Sequence, residues 1–142
     1  MIRSLKGREG LIPWRELSAL LLNTFGPLGK SVFVPIPSSG RNHALGLARA
    51  LGGWTGYPVS AALGVHSSRQ QKRLGREARQ DIRFEREIWD FCTEYTNVVI
   101  VDDVVTTGAT ARAAYHTLGR PKNCEVWCLL DRRPCGKKVP LL

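Results

Sequence analysis

The sequence predicts an α/β fold, a mainly parallel central sheet with helices on both faces. Three observations carry the prediction. Short apolar runs rich in Val and Ile alternate with amphipathic helical stretches, the order of successive βαβ units. Those runs show no alternation of polar and apolar residues, as expected of strands buried on both faces. Each run also gives way to a small polar segment, and in parallel sheets ligands bind where the strands end.

Taken in order, the first element is a helix opened by Pro13, with Trp14, Leu17, Leu20 and Leu21 at helical spacing. Residues 23–30 (NTFGPLGK) read as a loop. Residues 31–37 (SVFVPIP) read as a short buried strand, followed by a tight polar turn of Ser38, Ser39 and Gly40. A helix over 41–51 then presents Ala44, Leu47, Ala48 and Leu51 on one face. The next strand falls within 57–65, with Pro58 near its start. Residues 66–86 change character: they are Arg-rich and poor in apolar residues. They read either as a solvated loop with an exposed helix, or as a basic flexible flap that closes over a polyphosphate. Residues 88–95 form a short amphipathic piece. Val98, Val99, Ile100 and Val101 form the central strand, and the acids Asp102 and Asp103 follow where such a strand would end. A helix over 111–118 and a strand over 124–130 complete the pattern, and Asp131, Arg132 and Arg133 end that last strand.

A chain of 142 residues reads as a single domain, 1–142, with an N-terminal helical segment over about 1–30, and it is long enough to bury a core. At 43% hydrophobic and 23% charged residues it has an ordinary globular composition. The formal net charge of +9 favours an anionic partner, either a polyphosphate or nucleic acid. No apolar run approaches a membrane span of about 18 residues, and the N-terminus lacks the apolar centre of a signal peptide. A cytoplasmic location follows as the expectation, and Cys92, Cys124, Cys128 and Cys135 fit reduced thiols there. None of the four forms a Cys-x-x-Cys pair.

The chemistry concentrates in 97–110 (NVVIVDDVVTTGAT). An apolar strand, an acid pair, a Gly/Thr loop and a helix start suit a phosphorylated sugar. Loop amides and the positive end of the helix dipole attract the phosphate. The hydroxyls of Thr106, Thr107 and Thr110 add donors, and Asp102 and Asp103 accept hydrogen bonds from sugar hydroxyls. Strand neighbours point to opposite faces, so both acids reach one sugar only if the strand has ended before them. If it continues, one of them becomes a structural acceptor. No G-x-G-x-x-G follows any strand, which sets aside a dinucleotide site.

These residues resemble the phosphoribosyl-pyrophosphate (PRPP) motif of the type I phosphoribosyltransferases. Within that family the chain is most similar to the ComF-type, competence-associated proteins. Leu5, Lys6 and Gly7 match an early motif, Val34, Pro35, Ile36 and Pro37 a strand end, and Gly40, Asn42 and Ala44 a helix start. Gln70, Gln71, Arg76, Arg79 and Phe84 match the middle of the pattern. The resemblance covers residues 5–130. The sequence departs from it in lacking a paired-cysteine zinc ribbon at the N-terminus and in a shortened loop after Pro37.

The resemblance implies a transferase that moves phosphoribose from PRPP to an unidentified acceptor with release of pyrophosphate. By it, Thr106, Thr107, Gly108, Ala109 and Thr110 grip the 5′-phosphate. Asp102 and Asp103 serve as the catalytic acids at the ribose hydroxyls and at Mg2+, which is held mostly by substrate and water. The pyrophosphate falls to Ser38, Ser39, Gly40 and Arg41, with Arg69, Lys72 and Arg73 from the flap. Asp131 and Arg132 stand on the acceptor side, as in some orotate-type members, although an exposed strand-end ion pair reads equally well there. Purine-salvage members carry an aspartate where this chain has Thr106, and a threonine is no general base near neutral pH. His43, early in its helix, is a candidate substrate contact, and His116 reads as a surface or packing residue. The alternative is a non-catalytic PRPP- or nucleotide-binding protein acting in DNA uptake or regulation. The basic charge keeps single-stranded DNA or another nucleic acid open as a partner, and a homodimer is also left open.

Overall fold

Strand pairing in the computed structural model follows the β-branched runs. The structure describes residues 13–25, 29–38, 40, 42–65, 84–86, 97–134 and 142. Among them the order is α1 (Trp14–Phe25), β1 (Ser31–Pro35), α2 (His43–Thr55), β2 (Leu63–Val65), β3 (Phe84–Arg86), β4 (Asn97–Val105), α3 (Ala109–Thr117) and β5 (Cys124–Asp131). β1, β4 and β5 form a parallel sheet with β4 in the centre, while β2 and β3 pair antiparallel in a second, two-stranded sheet.

The pleat of β4 sorts the core into two halves. Val98 and Ile100 pack with Val32 and Val34 of β1 against Ala114 and Leu118, at the end of α3. Val99 and Val101 point the other way, with Phe33 and Trp127, against Leu47, Ala48 and Leu51 of α2 and Leu21 of α1. Every one of these side chains is buried. Helices therefore cover both faces of the sheet, as the doubly apolar strands require. Trp127, the largest buried side chain, satisfies its indole Nε1–H with Glu125 Oε2 at 2.9 Å.

Three expectations change. The central strand does not end at Val101 but runs four residues further, because Asp102, Val104 and Val105 stay in register with Cys128, Leu130 and Asp131 of β5. The strand sought within 57–65 divides: Val59 bridges Phe33 at the free edge of β1, and only Leu63–Val65 forms β2, in the other sheet. Pro58 has no N–H to donate, and edge positions tolerate that; its carbonyl accepts from the Phe33 amide at 3.0 Å. The first helix continues through Asn23 to Phe25, where a loop was expected, and Phe25 stacks on Trp127 at 5.2 Å. Most of the basic 66–86 stretch, including Arg69, Lys72 and Arg73, lies outside the described residues, as do the 88–95 piece, Ser39 and Arg41.

Candidate functional site

Parallel register brings three polar segments to one end of the sheet. Pro35 of β1 pairs with Val101, and the next amide, that of Ile36, donates to the Val101 carbonyl at 2.9 Å. The turn holding Ser38 and Gly40 thus leaves β1 beside Asp102 and Asp103. On the other side Val105 pairs with Asp131, and the Arg132 amide donates to the Val105 carbonyl at 2.7 Å. The described residues of the segments expected at 38–41 and 131–133 therefore leave the strands on either side of the one that carries 102–105, at the same end of the sheet.

The loop after β4 is short because one glycine turns it. Gly108 has φ +82° and ψ 0°, a left-handed conformation that glycine adopts freely, and it is the N-cap of α3. It supplies no side-chain cap, so the first helical amides are not closed off by the capping residue. Thr107 Oγ1 accepts from the Ala109 amide at 3.2 Å. Thr106 and Thr107 are exposed, Ala109 and Thr110 half-buried, and Gly108 buried. No acidic residue stands in the first turn of α3. Arg112 does, with its Nη1 at 3.4 Å from the Thr107 carbonyl. This cation at the rim of the loop was not singled out from the sequence, although its place four residues beyond Gly108 puts it one turn into the helix, at the loop.

The two acids differ. Both lie within β4, so the pleat sends Asp102 toward the α3 side and Asp103 toward the α2 side. Asp102 Oδ1 accepts from the Asp103 amide at 2.8 Å, and Asp103 Oδ1 from the Val104 amide at 2.9 Å. Asp102 is pushed up to about 7, chiefly by burial and then by its hydrogen bond to, and the negative charge of, Asp103. Asp103 Oδ2 meets Nδ1 of His43, the first residue of α2, at 3.2 Å. His43 is buried and engages an acid of the site, a contact between residues 60 apart. Burial also raises Cys128, which faces Asp102 across the strands, to about 11, with Asp131 and Asp102 adding to the rise.

At the end of β5, Asp131 pairs with Arg133 and not with Arg132: Arg133 Nη2 donates to Asp131 Oδ2 at 2.6 Å and Nε to Oδ1 at 2.9 Å. Those hydrogen bonds hold the Asp131 carboxyl down near 2. Arg132 is exposed beside it. Next to β1, Gly40 is exposed, and Asn42 caps α2 by accepting from the Leu45 amide at 3.2 Å. Among the described residues, no three His, Cys, Asp or Glu side chains gather as a metal site, and no helix is long and apolar enough to cross a membrane.

This architecture, with a glycine-turned loop joining the central parallel strand to a helix, is the fold of the type I phosphoribosyltransferases. The chain superposes with a TM-score of 0.54 on a glutamine phosphoribosylpyrophosphate (PRPP) amidotransferase from B. subtilis complexed with ADP and GMP. The two are 17% identical, over 82% of this chain and 26% of that one. On an HPRT, a glutamic acid mutant from an analysis of an invariant aspartic acid, the TM-score is 0.51 at 21% identity, over 89% and 69% of the two chains. In sequence it is 44% identical over 68 residues to the bifunctional protein PyrR of Akkermansia muciniphila, and 44% over 45 residues to that of Endomicrobium trichonymphae. Those matches take in 46% and 30% of this chain, and only 36% and 25% of the lengths of the two relatives. No family model matches the chain.

Proposed function

We propose that the chain is a PRPP-binding, phosphoribosyltransferase-like domain that transfers phosphoribose to an acceptor and releases pyrophosphate. The observation that carries this reading is the left-handed Gly108 that caps α3 directly after the exposed Thr106 and Thr107, which follow the acids of the central strand. Thr107 Oγ1 takes the Ala109 amide, and the amides beyond it, which Gly108 does not cap, attract a dianion together with the dipole, while Arg112 adds a positive charge at the rim.

On this reading the amides of 106–110 anchor the 5′-phosphate and Asp103 accepts from the ribose hydroxyls, while Asp102, on the other face of the continuing strand, is the structural acceptor that takes the Asp103 amide. Fixing both ends of the sugar holds its anomeric carbon for attack, a gain in orientation more than in bond-making. Asp103 offers a hard oxygen donor, and one carboxylate is enough for Mg2+ when substrate oxygens and water fill the rest of its shell. It fits that ion, which when bound would neutralise charge on the departing pyrophosphate. Ser38, Ser39, Gly40 and Arg41, with Arg69, Lys72 and Arg73, are proposed on the pyrophosphate side, and Arg132 on the acceptor side. Asp131 is already held by Arg133. Thr106 at the loop entrance speaks against a purine acceptor that needs a carboxylate base. The finer ComF-type assignment rests on the sequence resemblance.

A second reading keeps the PRPP site without the transfer, in regulation or DNA uptake. It is favoured by Asp102, whose carboxyl burial and the neighbouring Asp103 push up toward the protonated form, a poor ligand. The test is calorimetry with PRPP and Mg2+, followed by a screen of nucleobases for pyrophosphate release. Binding with turnover supports the transferase, and binding without turnover on any base supports the second reading. No binding removes both.

A further inference from the structure

His43 opens α2 directly after the turn on the pyrophosphate side, and it is only 8% exposed. Its Nε2 is buried with no hydrogen-bond partner among the described residues. Trp14 of α1 packs on the ring, with centroids 5.6 Å apart. That indole sits close because Gly46 leaves room for it: a Cβ at Gly46 would lie 2.8 Å from Trp14 Nε1. Burying an unpartnered ring nitrogen is unfavourable, so an apolar side chain would fill this space at lower cost. What the imidazole does that leucine would not is bond Asp103 Oδ2 through Nδ1. With Oδ1 taken by the Val104 amide, both oxygens of that carboxylate are oriented.

We propose that His43 is a positioning residue: its Nδ1–H fixes the Asp103 carboxylate for the ribose hydroxyls and ties it to the start of α2, beside the pyrophosphate turn. The inference rests on the PRPP reading above. A hydrogen bond to a charged group, once lost, weakens the contact that depends on it by about tenfold to a hundredfold. The loss falls on ligands that carry the ribose, because among the described residues the polar contact His43 makes is to Asp103 and not to the phosphate loop at 106–110.

The experiment measures PRPP with Mg2+ by calorimetry and inorganic phosphate by NMR titration, on the wild type and on H43L, H43N and H43Q. An asparagine amide N–H stands close to the place of Nδ1, whereas glutamine extends toward Nε2. Expected are a PRPP affinity at least about tenfold weaker for H43L and H43Q, near wild type for H43N, and unchanged phosphate binding in all folded variants. Equal PRPP affinity for H43N and H43Q overturns the proposal even if H43L does not fold. Parallel loss of PRPP and phosphate overturns it too, because it marks general damage. If the wild type binds no PRPP, the parent reading fails. If it binds and H43L binds equally well, only the role of His43 fails.

Discussion

Replacing Asp102 by asparagine separates its charge from its shape. In the folded chain this carboxyl is pushed up to about 7 from an ordinary 3.8, first by burial and then by Asp103. Between those two values the folded state holds a proton that the unfolded state has released. Stability therefore falls as pH rises through that window, and the loss is complete above it. A displacement of about three units, at about 1.4 kcal/mol each, sets a ceiling on the order of 4 kcal/mol. Coupling to Asp103 and the partial exposure of the strand end bring the expected effect to about 2–4 kcal/mol. The D102N side chain has the same outline and keeps the oxygen that accepts from the Asp103 amide, but it does not titrate. Urea unfolding at pH 5 and pH 8 reads the difference directly. That pH step crosses about two of the three units, so the wild type should lose about 1–3 kcal/mol more than D102N between the two conditions. Equal losses in the two proteins would falsify the assignment of a buried, proton-holding Asp102.

Three further outcomes are expected. G108A places a methyl group at φ +82°, which should cost about 1–2 kcal/mol in urea unfolding and weaken phosphate binding; a neutral result would mean the loop relaxes to another conformation. G46A drives a Cβ into the Trp14 indole, and thermal unfolding should report a loss of about 1–3 kcal/mol with altered tryptophan fluorescence. R133A removes the guanidinium hydrogen bonds, the larger cause holding Asp131 near 2, and leaves the bond from the residue-133 amide to Oδ1, so carboxyl NMR should find that group titrating part of the way back toward 3.8; an unmoved titration would show that the guanidinium is not the cause.

The sheet was legible in the sequence because β-branched runs buried on both faces leave little choice, and 98–101 is such a run. The continuation of β4 was not, because paired acids ordinarily end a strand. The hint was Val104 and Val105 just beyond them, which go on pairing with Leu130 and Asp131. The Gly/Thr loop was legible from local chemistry alone, since only its glycine takes the left-handed turn. The His43–Asp103 contact was not, because the packing of α2 on the sheet, and no local pattern, sets the distance between residues 60 apart. The Asp131–Arg133 pair is local, two residues apart, and Arg132 stood nearer in sequence. The strand ends at Asp131, and the bend after it turns both the amide and the guanidinium of Arg133 back onto the carboxylate.

The most direct test of the central claim follows the backbone amide resonances of an isotope-labelled sample as ribose 5-phosphate and then PRPP with Mg2+ are added. If the turn at Gly108 cradles a sugar phosphate, saturable shifts centre on 106–111 for both ligands and extend to Asp102 and Asp103 with PRPP. Shifts that spare this turn, or that scatter over the basic surface and vanish with added salt, would contradict it.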